Sequence, residues 1–436
     1  MQVDVLLRPM KSRFMSDSLR SFRKLTTSFK LKFRDINILW TIGALLGLGL
    51  AVLVRIPLLS FESVDYFNER IQMYPLIKQQ GFAALANATS NYSPPYFYAL
   101  YVVSRFAPGL PMVIAVKLPA LVADFICAYF VYLIVKLKFA GGQAPLWAAL
   151  AVLFAPTVVA NSAFWGQVDS MHTAGILACI YFLLKRQNFW AVLAFAVAFT
   201  IKLQSIFLAP LLLALFLRGE ISWKVFLLVP GVLFIAVVPA WIAGRPLLEL
   251  FSIYLNQASE FEILTMNAAS LYTWVPGTKQ LFDALYLPSL IMGATAAFLL
   301  VTVIYKGQRR ISSSLLLELA LLTMLVLPFF LPKMHDRYFF PADVISIAFA
   351  MYYPQFFYVP LVVIASSSLS YLPYLFEVEP VPLPILTMLL LMVICILTYH
   401  SIKQLYFPTN NAEESMTAVL SGGEYPAVPK QMGDPA

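Results

Sequence analysis

The feature that most limits what this chain can become is its succession of long apolar runs. Twelve follow one another, at 38–59, 111–135, 145–161, 168–184, 188–203, 203–218, 223–243, 283–305, 313–331, 338–354, 357–375 and 382–402. A helix needs about 20 apolar residues to cross a bilayer, and several of these runs are shorter or abut their neighbours. Composition points the same way. Apolar residues make up 61% of the chain and charged residues 12%, against about 45–50% and about 25% in soluble domains. So little polar surface would not keep the chain dispersed in water. The expected fold is an all-α, polytopic integral membrane protein with about twelve transmembrane helices.

The positive charge is unevenly spread. The net charge is +8, and residues 1–36 hold Arg8, Lys11, Arg13, Arg20, Arg23, Lys24, Lys30, Lys32 and Arg34 against Asp4, Asp17 and Asp35. A basic flank beside a membrane span is an orientation signal, and nucleic acid is not the expected partner. Residues 1–37 are therefore expected to form a cytoplasmic arm on the anionic leaflet. The run at 38–59 lacks a small-residue cleavage site and reads as a retained anchor. Cys127, Cys179 and Cys395 all lie in apolar runs, so no disulfide framework is implied. From about 404 the tail is polar, with too little apolar content to fold alone, and residues 404–436 are expected to be disordered.

Sidedness follows from the connectors. Residues 94–107 are too short for a span between Pro94 and Pro108. Placing them at the interface puts Lys136/Lys138, Lys185/Arg186, Arg218/Lys224 and Lys306/Arg309/Arg310 in the cytoplasm, as positive charge prefers. Residues 60–110 then become a first external loop, with Tyr92, Tyr96, Tyr98 and Tyr101 as interfacial anchors, and residues 244–282 a second. The transmembrane region as a whole covers 38–403. Three charged clusters share the external face: 62–70, the GQVDS segment at 166–170, and KMHDR at 333–337. Polar groups from distant segments, gathered on one face of an apolar scaffold, are what an enzyme working at a membrane surface needs.

Each cluster has a functional and an ordinary account. Taken as a helix, 65–74 places Asp65, Glu69 and Gln72 on one side, with Phe67, Ile71 and Tyr74 opposite facing lipid. Pro75 is expected to kink or end this helix, and Gly81 to close the next turn. A half-buried carboxylate such as Asp65 suits a general base, though spacing alone also fits a solvated loop acid. Asp169 can cap the helix it begins. With Trp165 and Gln167 it equally supplies the stacking and hydrogen bonding that a sugar ring takes. Lys333, His335 and Arg337 sit where positive charge is normally sparse, which suggests a bound anion such as a phosphate ester; anchoring two helix ends is the alternative. Lys202 is a further external cation. Lys117 and Asp124 are ionisable groups within a span, Lys117 placed to snorkel outward and Asp124 to pair with a neighbour. His335 has no second His or Cys at ligand spacing, and no phosphate-binding glycine motif is present.

Taken in order, YSPPYFY at 92–98, NSAFWGQVDS at 161–170, KLQ at 202–204, AASLYTW at 268–274 and LPKMHDRYF at 331–339 resemble the bacterial relatives of the GPI-anchor mannosyltransferases, within the GT-C glycosyltransferases. The likeness runs from about Asp65 to Tyr374. It implies a GT-C helical bundle with interfacial helices in the first external loop. It also implies an inverting transfer of a hexose, mannose first and glucose or another hexose second. The donor would be a polyprenyl-phosphate sugar, the acceptor a glycan or glycolipid, and the site extracytoplasmic, in a bacterial plasma (inner) membrane. By position, Asp65 matches the general base. Asp169 matches a second acidic position that orients substrate or, together with Asp65, holds a divalent Mg or Mn ion if one is used. Lys333, His335 and Arg337 match the donor-phosphate segment, with Asp336 where the family more often has Glu. Glu69, Tyr96, Trp165, Gln167, Lys202, Gln204, Tyr272 and Trp274 are the expected substrate contacts. A transporter would need repeats and midplane polar groups; an accessory subunit would leave the three external clusters without a role.

Overall fold

The computed structural model describes residues 38, 40–67, 71–87, 92–259 and 262–407. The basic arm at 1–37, Glu69 and the tail from 408 onward lie outside the described residues. The chain divides at Val54 into two units, the first containing most of the opening helix α1 (Trp40–Leu58) and the second everything from Arg55. The second unit is an all-α bundle, and its only described strands are two residues each.

Among the described residues, seven helices are long and apolar enough to cross a membrane. They are α1, α4 (Met112–Lys138), α10 with its preceding turn (Trp223–Ile242), α12 (Lys279–Lys306), α13 (Ser313–Phe330), α15 with its preceding turn (Pro354–Phe376), and α16 (Leu383–Tyr406). An eighth candidate is bent by 49°, where α5 (Ala144–Phe154) gives way to α6 (Pro156–Val159) and its π-helical continuation to Trp165. The break falls before Pro156, whose ring cannot continue a helix from the preceding turn.

The other apolar runs form shorter helices: α7 (Asp169–Leu184), α8 (Asn188–Ile201), α9 (Ala209–Leu217) and α14 (Phe340–Tyr352). At 1.5 Å per residue the 16 residues of α7 and the 13 of α14 reach about 24 and 20 Å, short of the ~30 Å core. Most of α14 is buried, packed by α4, α5, α7, α13 and α15. An all-round apolar helix inside a bundle has no lipid thickness to match. This is why counting apolar runs gives twelve where seven or eight helices meet the length of a span. The last helix also continues to Tyr406, past the boundary expected at 403.

The segment expected as the first external loop carries α2 (Ile71–Gln80) and α3 (Pro94–Phe106), neither long enough to span. Two expectations for it are corrected, and of the two offered for Pro75, a kink or an end, the end is excluded. Pro75 lies inside α2, which runs on to Gln80, while Gly81, at φ +64°, does turn the chain there. Tyr74 does not face lipid. It is buried with Tyr66, Met73 and Ile77 against α3 and α4, whereas Phe67 is exposed. Nor is Tyr96 an interfacial anchor: it is buried with its hydroxyl donating to the Val116 carbonyl (3.2 Å), while the half-buried Tyr98 donates to Ala236 O (2.8 Å). Buried aromatic hydroxyls need an internal acceptor, and these two tie α3 to α4 and α10.

One small pairing matters for the site. Strand β1 (Thr265–Met266) runs parallel to β2 (Met334–His335), with Thr265 opposite Met334 and Met266 opposite His335. It fastens the connector after α11 (Leu247–Ser259) to the one between α13 and α14.

Candidate functional site

The site is assembled around Lys117, which is buried in α4 and does not snorkel outward. Its ammonium donates to the carbonyls of Leu58 (3.2 Å), Leu59 (3.1 Å), Phe61 (2.7 Å) and Ala163 (2.9 Å). Three protons shared among four carbonyls satisfy a charge that burial would otherwise penalise heavily. The effect is to pin the segment leading to Asp65 against the π-helical turn Ala160–Trp165. Asp124 does pair as expected, with Arg55 (3.0 Å) and with the Ser162 hydroxyl (2.5 Å), and this fixes the same turn from below. The turn ends at Gly166, φ +80°, where a Cβ would stand 3.2 Å from the Lys117 side chain. Only glycine meets both demands easily. The Gln167 N–H then closes back on Asn161 O at 2.7 Å.

This geometry turns two donors toward Asp65. Trp165 Nε1 donates to its Oδ2 at 2.8 Å, and Gln167 Nε2 donates to the same oxygen. The Tyr374 hydroxyl, from the end of α15, donates to Oδ1 at 2.7 Å. A carboxylate has about four lone-pair positions. Three are engaged here, and the half-buried Asp65 keeps one on Oδ1.

A second acid lies behind the tryptophan. Asp169 is 1% exposed and is the first residue of α7, where a negative charge is favoured by the helix dipole. It makes no side-chain cap, contrary to the simpler expectation. Its Oδ1 pairs with Lys202, and its Oδ2 accepts from Asn161 Nδ2 at 2.8 Å. Arg337 Nε stands 3.8 Å from Oδ2, and His172 Nε2 3.7 Å from Oδ1. The Arg337 guanidinium also lies 5.3 Å from the centre of the Trp165 ring, which stacks on Tyr374 at 5.1 Å. Although buried, Arg337 Nε has no hydrogen-bond acceptor within reach, and Asn161 Oδ1 has no donor. Unsatisfied buried polar atoms are uncommon and call for a reason.

The KMHDR segment divides into two parts. His335 sits beside Arg337, 3.5 Å from its guanidinium, and edge-on to Tyr338. Burial first, then the positive charges of Arg337 and Lys202, pull its pKa down to about 2. In this setting the neutral imidazole is favoured. Asp336 accepts the Arg337 N–H at 2.8 Å, and burial raises its pKa to about 7 against the opposing pull of Arg337, with Asp169 and Asp65 adding to the rise. Lys333, at φ +61°, directs its ammonium over the rings of Tyr286 (4.7 Å) and Phe282 (5.3 Å). The three residues expected to share one phosphate thus stand in different settings. The cations at Asp169 are Lys202 and Arg337, and the acids beside them nearly balance their charge.

The remaining expected contacts are more distant. Tyr96 lies one layer back, its ring on Tyr92, whose hydroxyl donates to Gln167 Oε1 at 3.2 Å. Gln204 lies two residues beyond Lys202, its Oε1 buried without a partner. Tyr272 is buried with Leu264 and Phe282, its hydroxyl committed to Phe330 O at 2.6 Å, and Trp274 is 47% exposed at the end of the same turn. Tyr374, Asn161 and His172 were not expected. Asn161 falls inside the NSAFWGQVDS motif and could have been found there; Tyr374 ends an apolar run 309 residues from its partner, with nothing in its spacing to mark it.

For a divalent ion the fit is poor. Asp65 and Asp169 face N–H, O–H and ammonium donors, which a cation would have to displace. Among the described residues no group of three or more His, Cys, Asp and Glu side chains is gathered for a metal. Phosphoryl or sugar oxygens, by contrast, suit donors such as Arg337 Nε. Comparison of the chain with protein-family models and with curated proteins returns no match.

Proposed function

We propose that this protein is a membrane-embedded, inverting glycosyltransferase of the GT-C kind, working on the extracytoplasmic face of a bacterial plasma membrane. It takes a hexose, mannose in the first instance, from a polyprenyl-phosphate donor and passes it to a glycan or glycolipid acceptor. The carrying observation is one arrangement: the half-buried Asp65 keeps an open acceptor position while, across the Trp165 ring, the buried Arg337 Nε lacks an acceptor. The ordered motifs from YSPPYFY to LPKMHDRYF support the family reading.

In this reading the acceptor hydroxyl gives its proton to Asp65 Oδ1 as its oxygen bonds to the anomeric carbon. The bond from that carbon to the phosphate oxygen breaks on the opposite face, which inverts the configuration. The electron pair leaves with the polyprenyl phosphate, and Arg337 takes up its growing negative charge, with Lys202 behind it. Trp165, buried against Arg337 and Tyr374, holds the Asp65 carboxylate through its Nε1 donor. Asp65 afterwards returns its proton to water. The phosphate ester is already activated, so no nucleotide takes part.

The test is turnover in proteoliposomes with polyprenyl-phosphate mannose and, separately, polyprenyl-phosphate glucose, reading release of free polyprenyl phosphate with a pooled glycolipid and glycan extract as acceptor. Asp65→Asn should lower turnover by about 10²–10⁴, the range for a positioned general base. The preferred donor names the sugar. An unchanged rate in Asp65→Asn removes it as the base, and no turnover by folded protein with any donor returns the transporter or accessory-subunit readings.

A further inference from the structure

At the other end of α13 from the Asp65 group lies a second cationic setting that the proposed transfer leaves unused. A cavity of about 700 Å³ is bounded by Arg186, Arg218, Glu220, Tyr305 and Arg310. Three guanidiniums face one carboxylate. Two helix ends build this chamber. The end of α7 places Arg186 at φ +57°, closed by Gln187 N–H to Phe182 O (2.9 Å), and the end of α9 turns at Gly219, φ +75°, closed by Glu220 N–H to Leu215 O (2.9 Å). Left-handed closures of this kind direct the next side chain out of the helix.

The arginines divide their work. Arg218 is largely structural: it donates to the carbonyls of Ile304 (2.9 Å), Gly307 (2.7 Å) and Arg309 (2.7 Å), covering the end of α12. Arg186 reaches Glu220 and Ile311 O (3.1 Å) but is 61% exposed, and Arg310 is exposed. One acid does not neutralise three guanidiniums, so the chamber holds an excess of positive charge facing solvent.

Directly along α12 is a cavity of different character. It measures about 790 Å³, runs from Pro288 to Ile304 between α12, α13 and α16, and is walled almost wholly by apolar side chains such as Leu299, Leu322 and Ile394. Sixteen helical residues rise about 24 Å, most of the hydrocarbon thickness. Its end at Ile304 abuts the charged chamber, because Arg218 donates to the Ile304 carbonyl.

We infer that these two cavities form one binding site for an anionic phospholipid, its headgroup phosphate among Arg186, Arg218 and Arg310 and one acyl chain in the α12–α13–α16 groove. Arginine suits a phosphate because its planar fork presents paired N–H donors. Basic pockets between membrane helices hold acidic headgroups for this reason. An apolar groove alone would accept any chain; the adjoining charge selects an anionic amphiphile, and neither a neutral lipid nor a small anion fills both parts. The inference does not depend on the glycosyltransferase reading.

The experiment is native mass spectrometry of the full chain in detergent, titrated with phosphatidylglycerol and with phosphatidylcholine of identical acyl chains. Inorganic phosphate forms a third arm. Phosphatidylglycerol should bind about tenfold tighter or more, a modest return for one desolvated charge pair. Arg310→Gln should remove most of that preference with no change in melting, since its side chain is exposed, and Arg186→Gln should deepen the loss. Ala296→Phe, which fills the groove, should weaken both lipids alike, while Lys333→Gln, at the other end of α12, should change neither. Equal binding of the two lipids, or a preference untouched in Arg310→Gln, overturns the site. Phosphate that displaces the lipid at millimolar concentration also overturns it, because the acyl groove would then contribute nothing.

Discussion

Replacing Lys202 by Met tests whether the Asp169 cluster is a coupled unit. Lys202 is 12% exposed and Asp169 1%, so the substitution strands a carboxylate in a dry setting. Removing one partner of a buried ion pair costs about 3–5 kcal/mol. Three groups remain to soften this: the Asn161 hydrogen bond at 2.8 Å, His172 at 3.7 Å and Arg337 Nε at 3.8 Å. Arg337 needs to move only about 1 Å to reach charge-assisted hydrogen-bond distance. The expected loss is therefore below that range, at about 2–3 kcal/mol. Asp169→Asn alone leaves Lys202 partly able to reach solvent and should cost less. In the double variant Lys202→Met/Asp169→Asn no carboxylate is left uncompensated, so its loss should be smaller than the sum of the two singles by about 2 kcal/mol, within the range for groups in one network. Unfolding by denaturant in detergent micelles, followed by tryptophan fluorescence, measures all three. Additive losses, or a loss under about 1 kcal/mol for Lys202→Met, would refute the idea that the pair is buried and coupled.

The other expectations concern single side chains. Asp336 has a folded pKa of about 7, raised by burial, against about 3.9 unfolded; the folded state holds its proton longer, so this group's contribution to stability is full below pH 4 and is lost as the pH rises through 7. Asp336→Asn should accordingly match wild type in melting at about pH 3.5, below the unfolded pKa, and exceed it by a growing margin as the pH rises to 8; a wild-type advantage at pH 8 would show the carboxylate to be stabilising. Gly166→Ala places a side chain at φ +80° against Lys117 and should destabilise by about 1–3 kcal/mol, seen as an earlier unfolding midpoint; an unchanged midpoint would mean that the turn relaxes freely. Trp165→Phe keeps the ring but deletes the 2.8 Å donor to Asp65, and on the proposed function it should lower kcat by about 10² with a smaller effect on KM. A change confined to KM would mean that this hydrogen bond does not position the base for the transfer step.

What the sequence carried and what it withheld divide along physical lines. Apolar runs are local, so all twelve correspond to helices in the fold, α7, α8, α9 and α14 included. Whether such a helix is lipid-facing is not local. α14 reads like a span yet is wrapped by five neighbouring helices, and α3 looks interfacial yet lies buried through Tyr96 and Phe97. Hydropathy reports a wish to leave water, and protein satisfies it as well as lipid does. The same limit explains Tyr74, whose apolar face was assigned to lipid because no partner for it could be seen.

The candidate site shows a different division. Asp65, Trp165, Gln167, Asp169, Lys202 and Arg337 were singled out by residue type and position, and they do converge. The division of labour among them could not be read. Reading LPKMHDRYF as a linear cluster of cations made Lys333, His335 and Arg337 equivalent. The backbone separates them instead, because a left-handed Lys333 and the β1–β2 pairing turn successive side chains to different neighbours. Charge state also depends on those neighbours: burial first, then Arg337 and Lys202, lowers the His335 pKa. Of Lys333, His335 and Arg337, it is Arg337 that stands against Asp169. Its Nε, 3.8 Å from Asp169 and without a hydrogen-bond acceptor, is the one cationic donor in this cluster with a bond still to make. An anion arriving there would complete a partner set that Asp169 leaves incomplete, so the buried carboxylate both holds the arginine in place and leaves it free to bind.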